Sequence, residues 1–188
     1  MRPFRSPGSL MYSHQSRMDS DRRVALTGFM GVGKSSVARH LSSILRCGRI
    51  DLDAYIEKSE GRSIADIINT DGEPAYRVIE TANLKAVLNG TDARILSLGG
   101  GTWTIPANRE LIVGSGLITI WLESSFEHCW ANISKSRKER PLAKNKAAAR
   151  RLFDERQGIY CLADWHFIIR PEFNSYEIAR QIADQVFA

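Results

Sequence analysis

The chain has 188 residues, 43% of them hydrophobic and 25% charged, an ordinary balance for one soluble domain with a core of its own. No apolar run approaches the roughly 20 residues that span a bilayer, so no membrane-spanning helix is expected. The net charge of +5 gathers in residues 1–23, where five arginines face two aspartates, and it gives little support to nucleic-acid binding.

Residues 1–22 lack apolar periodicity and are expected to form a disordered extension to a single domain, 23–188. The first 18 hold Arg and Ser but no acid, faintly like an organellar transit peptide. Against that stand an untargeted flexible extension and an over-long gene start, with Met18 as an alternative first residue. The segment has no continuous apolar core and so is not read as a secretory signal.

From residue 24 apolar β-rich runs alternate with helical patterns, the signature of βαβ units. Strands are expected at 24–28, 49–53, 93–100, 117–122 and 165–170. Helices are expected at 33–46, 53–60, 64–70, 74–89, 126–134, 147–162 and 176–187. The basic stretch KSRKERPLAKNKAA, broken by Pro141, makes poor helix and reads as a mobile lid over about 134–147. The expected architecture is α/β, a three-layer sandwich with a five-stranded parallel sheet.

Between the first strand and its helix stands GFMGVGKSS, which fits G-x-x-x-x-G-K-[ST] in the strand–loop–helix setting that motif requires. Glycines let backbone N–H groups curl around phosphates, and a helix N-terminus favours the anion. Gly31, Val32, Gly33, Lys34, Ser35 and Ser36 are the candidate nucleotide-binding residues, with Lys34 on the β/γ-phosphates and the Ser35 hydroxyl on Mg²⁺. The motif alone implies ATP-type nucleotide and Mg²⁺, without naming an acceptor.

In a parallel sheet, ligands gather at the carboxyl ends of the strands. There the second strand offers Asp51, a candidate for a Mg²⁺-bound water, and Asp53, a candidate base for a substrate hydroxyl. A D-x-D at a strand end serves equally well as a helix cap, and Asp53 could do both. The third strand runs into Gly99, Gly100 and Gly101, read as a tight turn or as an open loop that a ligand can approach. Arg140 in the Pro-broken segment is suited to charge on a transferring phosphoryl group, whereas Arg77 and Arg156 taken singly read as solvated helix faces. Cys47, Cys129 and Cys161 form no CxxC or Cys/His cluster, which suits free thiols in a reducing cytoplasm, and the four histidines show no ligand spacing.

Taken in order, GFMGVGKSS, DLDAYIE, GRSIADIINTDGEPAYRVIE, LSLGGG, RPL and ERQGIY resemble the shikimate kinases, small members of the nucleoside monophosphate kinase-like P-loop group, over roughly residues 24–187. The resemblance implies ATP-dependent phosphorylation of the 3-hydroxyl of shikimate, in aromatic amino acid synthesis, by a cytoplasmic monomer with a small-molecule partner and neither nucleic acid nor membrane. It implies that Asp53, Arg77, Gly99, Gly100, Gly101 and Arg156 bind shikimate, the two arginines facing its carboxylate. Lys34, Asp53 and Arg140 would carry catalysis, Arg140 also serving the phosphates, and Ser35 and Asp51 (via water) would serve the metal. Glu80 would brace Arg77, and Glu57 would sit near the substrate. The chain departs from the family at Ile68 and Tyr76, where Phe is common, and at Trp103, which is bulkier than expected. Two other readings are a related small-molecule kinase, such as a gluconate kinase, and a nucleotide-binding module without catalysis. The second needs neither Asp53 nor Arg140.

Overall fold

The computed structural model describes residues 22–170 and 172–187. The expected disordered extension lies outside these residues apart from Arg22, whose guanidinium donates to the Val186 carbonyl.

Five strands, β1 (Val24–Thr27), β2 (Arg49–Asp51), β3 (Ile95–Ser97), β4 (Ile118–Glu123) and β5 (Trp165–Ile168), form one parallel sheet in the order β2-β3-β1-β4-β5. Val24 pairs with Ile95 on one side and Ile118 on the other, and Ile120 pairs with Trp165. The helices are α1 (Lys34–Leu45), α2 (Leu52–Glu60), α3 (Ile64–Asp71), α4 (Glu73–Gly90), α5 (Pro106–Gly114), α6 (Phe126–Lys135), α7 (Lys146–Tyr160) and α8 (Ser175–Val186). They cover both faces of the sheet, giving the expected α/β sandwich. Central β1 is wholly buried, as a strand covered on both faces must be, and this is why it reads as a continuous apolar run. β5 lies at an edge and leaves Trp165 and Ile168 exposed. Among the described residues no helix is long and apolar enough to cross a membrane.

Short polar side chains set several helix starts. Ser63, Ser125 and Asn145 cap α3, α6 and α7, and Asn174 with Glu177 closes a reciprocal capping box on α8. Two expectations need correction. The second strand stops at Asp51 instead of 53, because the Asp51 side chain accepts from Ala54 N at 3.3 Å and opens α2. The capping role therefore belongs to Asp51, and Asp53 sits in the first turn of the helix. Residues 106–114 form α5, which periodicity does not reveal because an inward position is polar. Buried Asn108 donates to the Thr102 carbonyl and accepts from Thr81, so the apolar stripe is interrupted.

The topology fixes the site. The chain leaves β1 toward β2 and β3 on one side and later places β4 and β5 on the other, opening a crevice at the carboxyl end of β1. The phosphate-loop residues, the two aspartates and the three glycines all follow the carboxyl ends of adjacent strands.

Candidate active site

The loop from Gly28 to Gly33 turns on glycines whose φ values only glycine adopts freely, +82° at Gly31 and +104° at Gly33. A Cβ at Gly31 would also lie 2.5 Å from the Cys129 carbonyl oxygen. α1 opens at Gly33 without a side-chain cap, so its first N–H groups stay available to an anion. Lys34 Nζ is buried and donates to the carbonyls of Gly28 (2.8 Å) and Phe29 (3.2 Å). Burial lowers its pKa to about 8, with Asp53 pulling the other way. The Ser35 hydroxyl donates to the Asp51 carboxylate, joining the head of α1 to the end of β2. A cavity of about 490 Å³ is lined by this loop from Met30 onward, including Ser36, and by Asp51.

A second, smaller cavity of about 80 Å³ adjoins it. Its lining combines polar groups of Arg77, Arg156, Gly100 and Gly101 with apolar side chains of Ile64, Ile68, Tyr76 and Leu142. Met30, Asp53, Gly100, Lys138 and Arg140 line both cavities and so mark the boundary between them. Desolvation raises the pKa of Asp53, and the ammonium of Lys138, 3.6 Å away, opposes that rise.

Arg77 is not a solvated helix face. Its NH1 donates to Glu80 at 2.8 Å, and its Nε and NH2 both donate to Glu73. Although burial works against its charge, Glu80 and Glu73 hold its pKa above the ordinary value. Glu80 is fully buried and also accepts from Thr102 Oγ1 (2.7 Å) and Tyr76 OH (3.3 Å). Arg156, on α7, is equally unlike a surface arginine: it is buried, and its NH1 donates to the Gly100 carbonyl at 3.0 Å, which Tyr160 OH also reaches.

Of the two readings of the glycines after β3, the structure carries the turn, closed by Thr102 N donating to the Gly99 carbonyl at 3.2 Å, and the space around it is filled. A Cβ at Gly101 would stand 2.5 Å from both terminal nitrogens of Arg77, and one at Gly99 would stand 2.7 Å from Asp53 Oδ1. Gly99 lies behind the cavity lining, which Gly100 and Gly101 reach. Of the three unusual residues, Ile68 and Tyr76 line the smaller cavity, while Trp103 turns into the core and donates from Nε1 to the Ile159 carbonyl at 3.1 Å. Glu57 lies outside both linings and accepts from Ile64 N.

Residues 136–145 connect α6 to α7 and pass over both cavities, with a 3₁₀ turn at Pro141–Ala143. Arg140 is half-buried, and its Nε has no hydrogen-bond partner among the described residues. Burial lowers its pKa, and Asp53 opposes that. Lys138, Glu139, Tyr160 and Met30 were not singled out from the sequence. Lys138 is one of several cations in a basic stretch, and only its contacts distinguish it.

Comparison with known proteins agrees with this geometry. The shikimate kinase family model matches residues 30–187. A shikimate kinase of Streptococcus thermophilus is 40% identical over 139 residues, covering 72% of this chain and 82% of that protein. One from Persephonella marina is 34% identical over 170 residues, covering 88% and 99%. The structure of shikimate kinase from Acinetobacter baumannii in complex with shikimate superposes with a TM-score of 0.81 at 28% identity, over 90% of this chain and 95% of that one. A small α/β kinase fold, a phosphate loop beside a cavity walled by two arginines, and this similarity along nearly the whole domain lead to one conclusion: the chain belongs to the shikimate kinase family.

Proposed function

We propose that this protein transfers the γ-phosphoryl group of ATP to the 3-hydroxyl of shikimate, giving shikimate 3-phosphate and ADP for chorismate and aromatic amino acid synthesis. The observation that carries this reading is the pairing of Arg77 and Arg156 in the lining of a cavity whose boundary with the phosphate-loop cavity is held by Asp53 and Arg140. An arginine fork matches a carboxylate in two parallel hydrogen bonds, so these polar groups suit the acid group of the substrate. The apolar side chains suit its ring. At about 80 Å³ the cavity is far below the roughly 300 Å³ of ordinary ligand pockets, which supports a lid at about 134–147 that shifts to admit the substrate.

Asp53 receives the hydroxyl proton as the oxygen attacks the γ-phosphorus, and the bond to the β,γ-bridging oxygen breaks to release ADP. Lys34 and Arg140 meet the charge that spreads over the transferring group. The residues present fit Mg²⁺: Ser35 and Asp51 offer hard oxygens at the head of the loop, and no cluster of three or more metal-binding side chains competes among the described residues. When bound, Mg²⁺ neutralises charge on the β- and γ-phosphates. All these groups come from one chain, so a monomer suffices, and the free thiols of Cys47, Cys129 and Cys161 suit the cytoplasm.

Coupled ADP release with shikimate, gluconate and nucleoside monophosphates side by side tests the acceptor. Arg77→Lys and Arg156→Lys keep the charge but lose the fork. Each should raise KM for shikimate about 10- to 150-fold, the worth of a charge-assisted hydrogen bond, and leave ATP binding within about twofold. A neutral shikimate ester should be a poor substrate that loses little more in either variant. Wild-type KM in both variants, or an ester as good as the acid, would refute the carboxylate clamp.

A further inference from the structure

Arg140 has an unusual position for so important a charge. Its Nε is buried with no partner among the described residues, so no hydrogen bond from that atom to them fixes where the guanidinium points. Its placement falls to the backbone on either side. On the C-terminal side the 3₁₀ turn holds the chain, with Ala143 N donating to the Arg140 carbonyl at 2.9 Å. On the N-terminal side the two preceding residues reach in different directions. Lys138 Nζ stands 3.6 Å from Asp53 Oδ2 and 3.9 Å from Glu57 Oε1, both on α2. Glu139 Oε1 accepts from Asn69 Nδ2 at 3.0 Å, on α3.

We infer that Lys138 and Glu139 form a two-point latch, one arm on α2 and one on α3, that positions Arg140 over the boundary between the two cavities. Neighbouring residues anchored to two different helices restrain both the height and the rotation of the segment, which a single contact would not. The arms differ in kind. Lys138 holds two carboxylates by charge, so its arm weakens with salt, whereas Asn69 to Glu139 is a directional hydrogen bond. Lys138 and Glu139 are thus positioning residues. Glu139 acts through Arg140 and Lys138 both through Arg140 and on Asp53, and the latch rests on the reading of Arg140 as the group that meets the phosphoryl charge.

Asn69→Ala is the cleanest probe, since Asn69 lines neither cavity. Lys138→Met removes the other arm while keeping its length. Each should lower kcat about two- to fivefold, the range expected for exposed pairs, and the KM for ATP should change less than kcat. Lys138→Arg should restore most of the loss. In an Arg140→Ala background Asn69→Ala should cost nothing further, because there is no guanidinium left to place, whereas Lys138→Met should keep only the part of its loss that comes from its ion pair with Asp53. A full-size loss for Asn69→Ala in that background, or wild-type kcat in both single variants, would overturn the latch. If instead wild type fails to turn over shikimate, or Arg140→Ala matches wild type, the proposed function fails. Amide hydrogen exchange over 136–144 in the ligand-free protein reads the latch without turnover. Faster exchange in both variants is expected, and unchanged exchange would overturn it.

Discussion

Residues 28–36 shape the nucleotide side of the cleft with local backbone, whereas the facing side is assembled from side chains on α2, α4 and α7. At Gly33 the requirement is a left-handed φ, with no atom within 4 Å of an added Cβ. At Gly101 the requirement is space, because Arg77 already occupies the position a Cβ would take. The first kind of site is stored in one short stretch of sequence. The second depends on residues up to about a hundred positions apart being brought together, and on buried carboxylates such as Glu80 holding arginines in place. The two halves should therefore fail differently.

The largest effect is expected at their boundary. Asp53→Asn keeps size and polarity but loses the carboxylate, so kcat should fall roughly 10²–10⁴-fold with ATP affinity nearly unchanged. Normal turnover would show that Asp53 only supports the start of α2. Next comes a matched pair of glycine substitutions. Gly101→Ala must displace a guanidinium that Glu73 and Glu80 hold, so KM for shikimate should rise about tenfold or more, as for a lost charge-assisted bond, while ATP binding stays within about twofold. Gly33→Ala strains the backbone by about 1–3 kcal/mol and should weaken ATP binding while sparing shikimate binding measured without nucleotide. If both variants damage both ligands alike, the two halves are not separately built. The smallest effect on catalysis belongs to Trp103→Phe. It loses the bond to the Ile159 carbonyl, about 1–2 kcal/mol, and should lower the melting temperature by about 2–8 °C with kcat and KM near normal.

The same division explains what the sequence disclosed. The phosphate loop was legible because its geometry is backbone geometry, written in consecutive residues. β1, β3 and β4 were legible because buried parallel strands are continuous apolar runs. Arg77 and Arg156, taken singly, looked like surface residues: the spacing of Glu73 and Glu80 around Arg77 fits an ordinary exposed helix pair as well as a buried one, and nothing local signals that the Gly100 carbonyl will meet Arg156. Only the family resemblance pointed to a carboxylate there. The glycines at 99–101 read as a tight turn or as an open loop, and the structure makes a turn there and fills the space around it with Asp53, Met30 and Arg77. α5 escaped because Asn108 stands where an apolar residue would complete the stripe, although Pro106 at the helix start was a usable sign. Trp103 follows the glycines directly in sequence yet lies in the core and lines neither cavity, so nearness along the chain says little about nearness to the site.

The Gly100 carbonyl oxygen accepts from both Arg156 NH1 and Tyr160 OH, so both its lone pairs are engaged by α7. Burial pushes the Tyr160 pKa up to about 12, which keeps that hydroxyl a donor throughout the neutral range. The thermodynamic consequence is preorganisation. If the substrate settles on this loop, as the proposed function has it, it finds the floor already ordered, so association forfeits little conformational entropy there and more of the interaction survives as affinity. On the proposed reading, the rearrangement on capture lies in the segment carrying Arg140, which shifts to admit the substrate. Calorimetric binding should accordingly divide into a nearly rigid contribution from the floor and an ordering contribution from the roof.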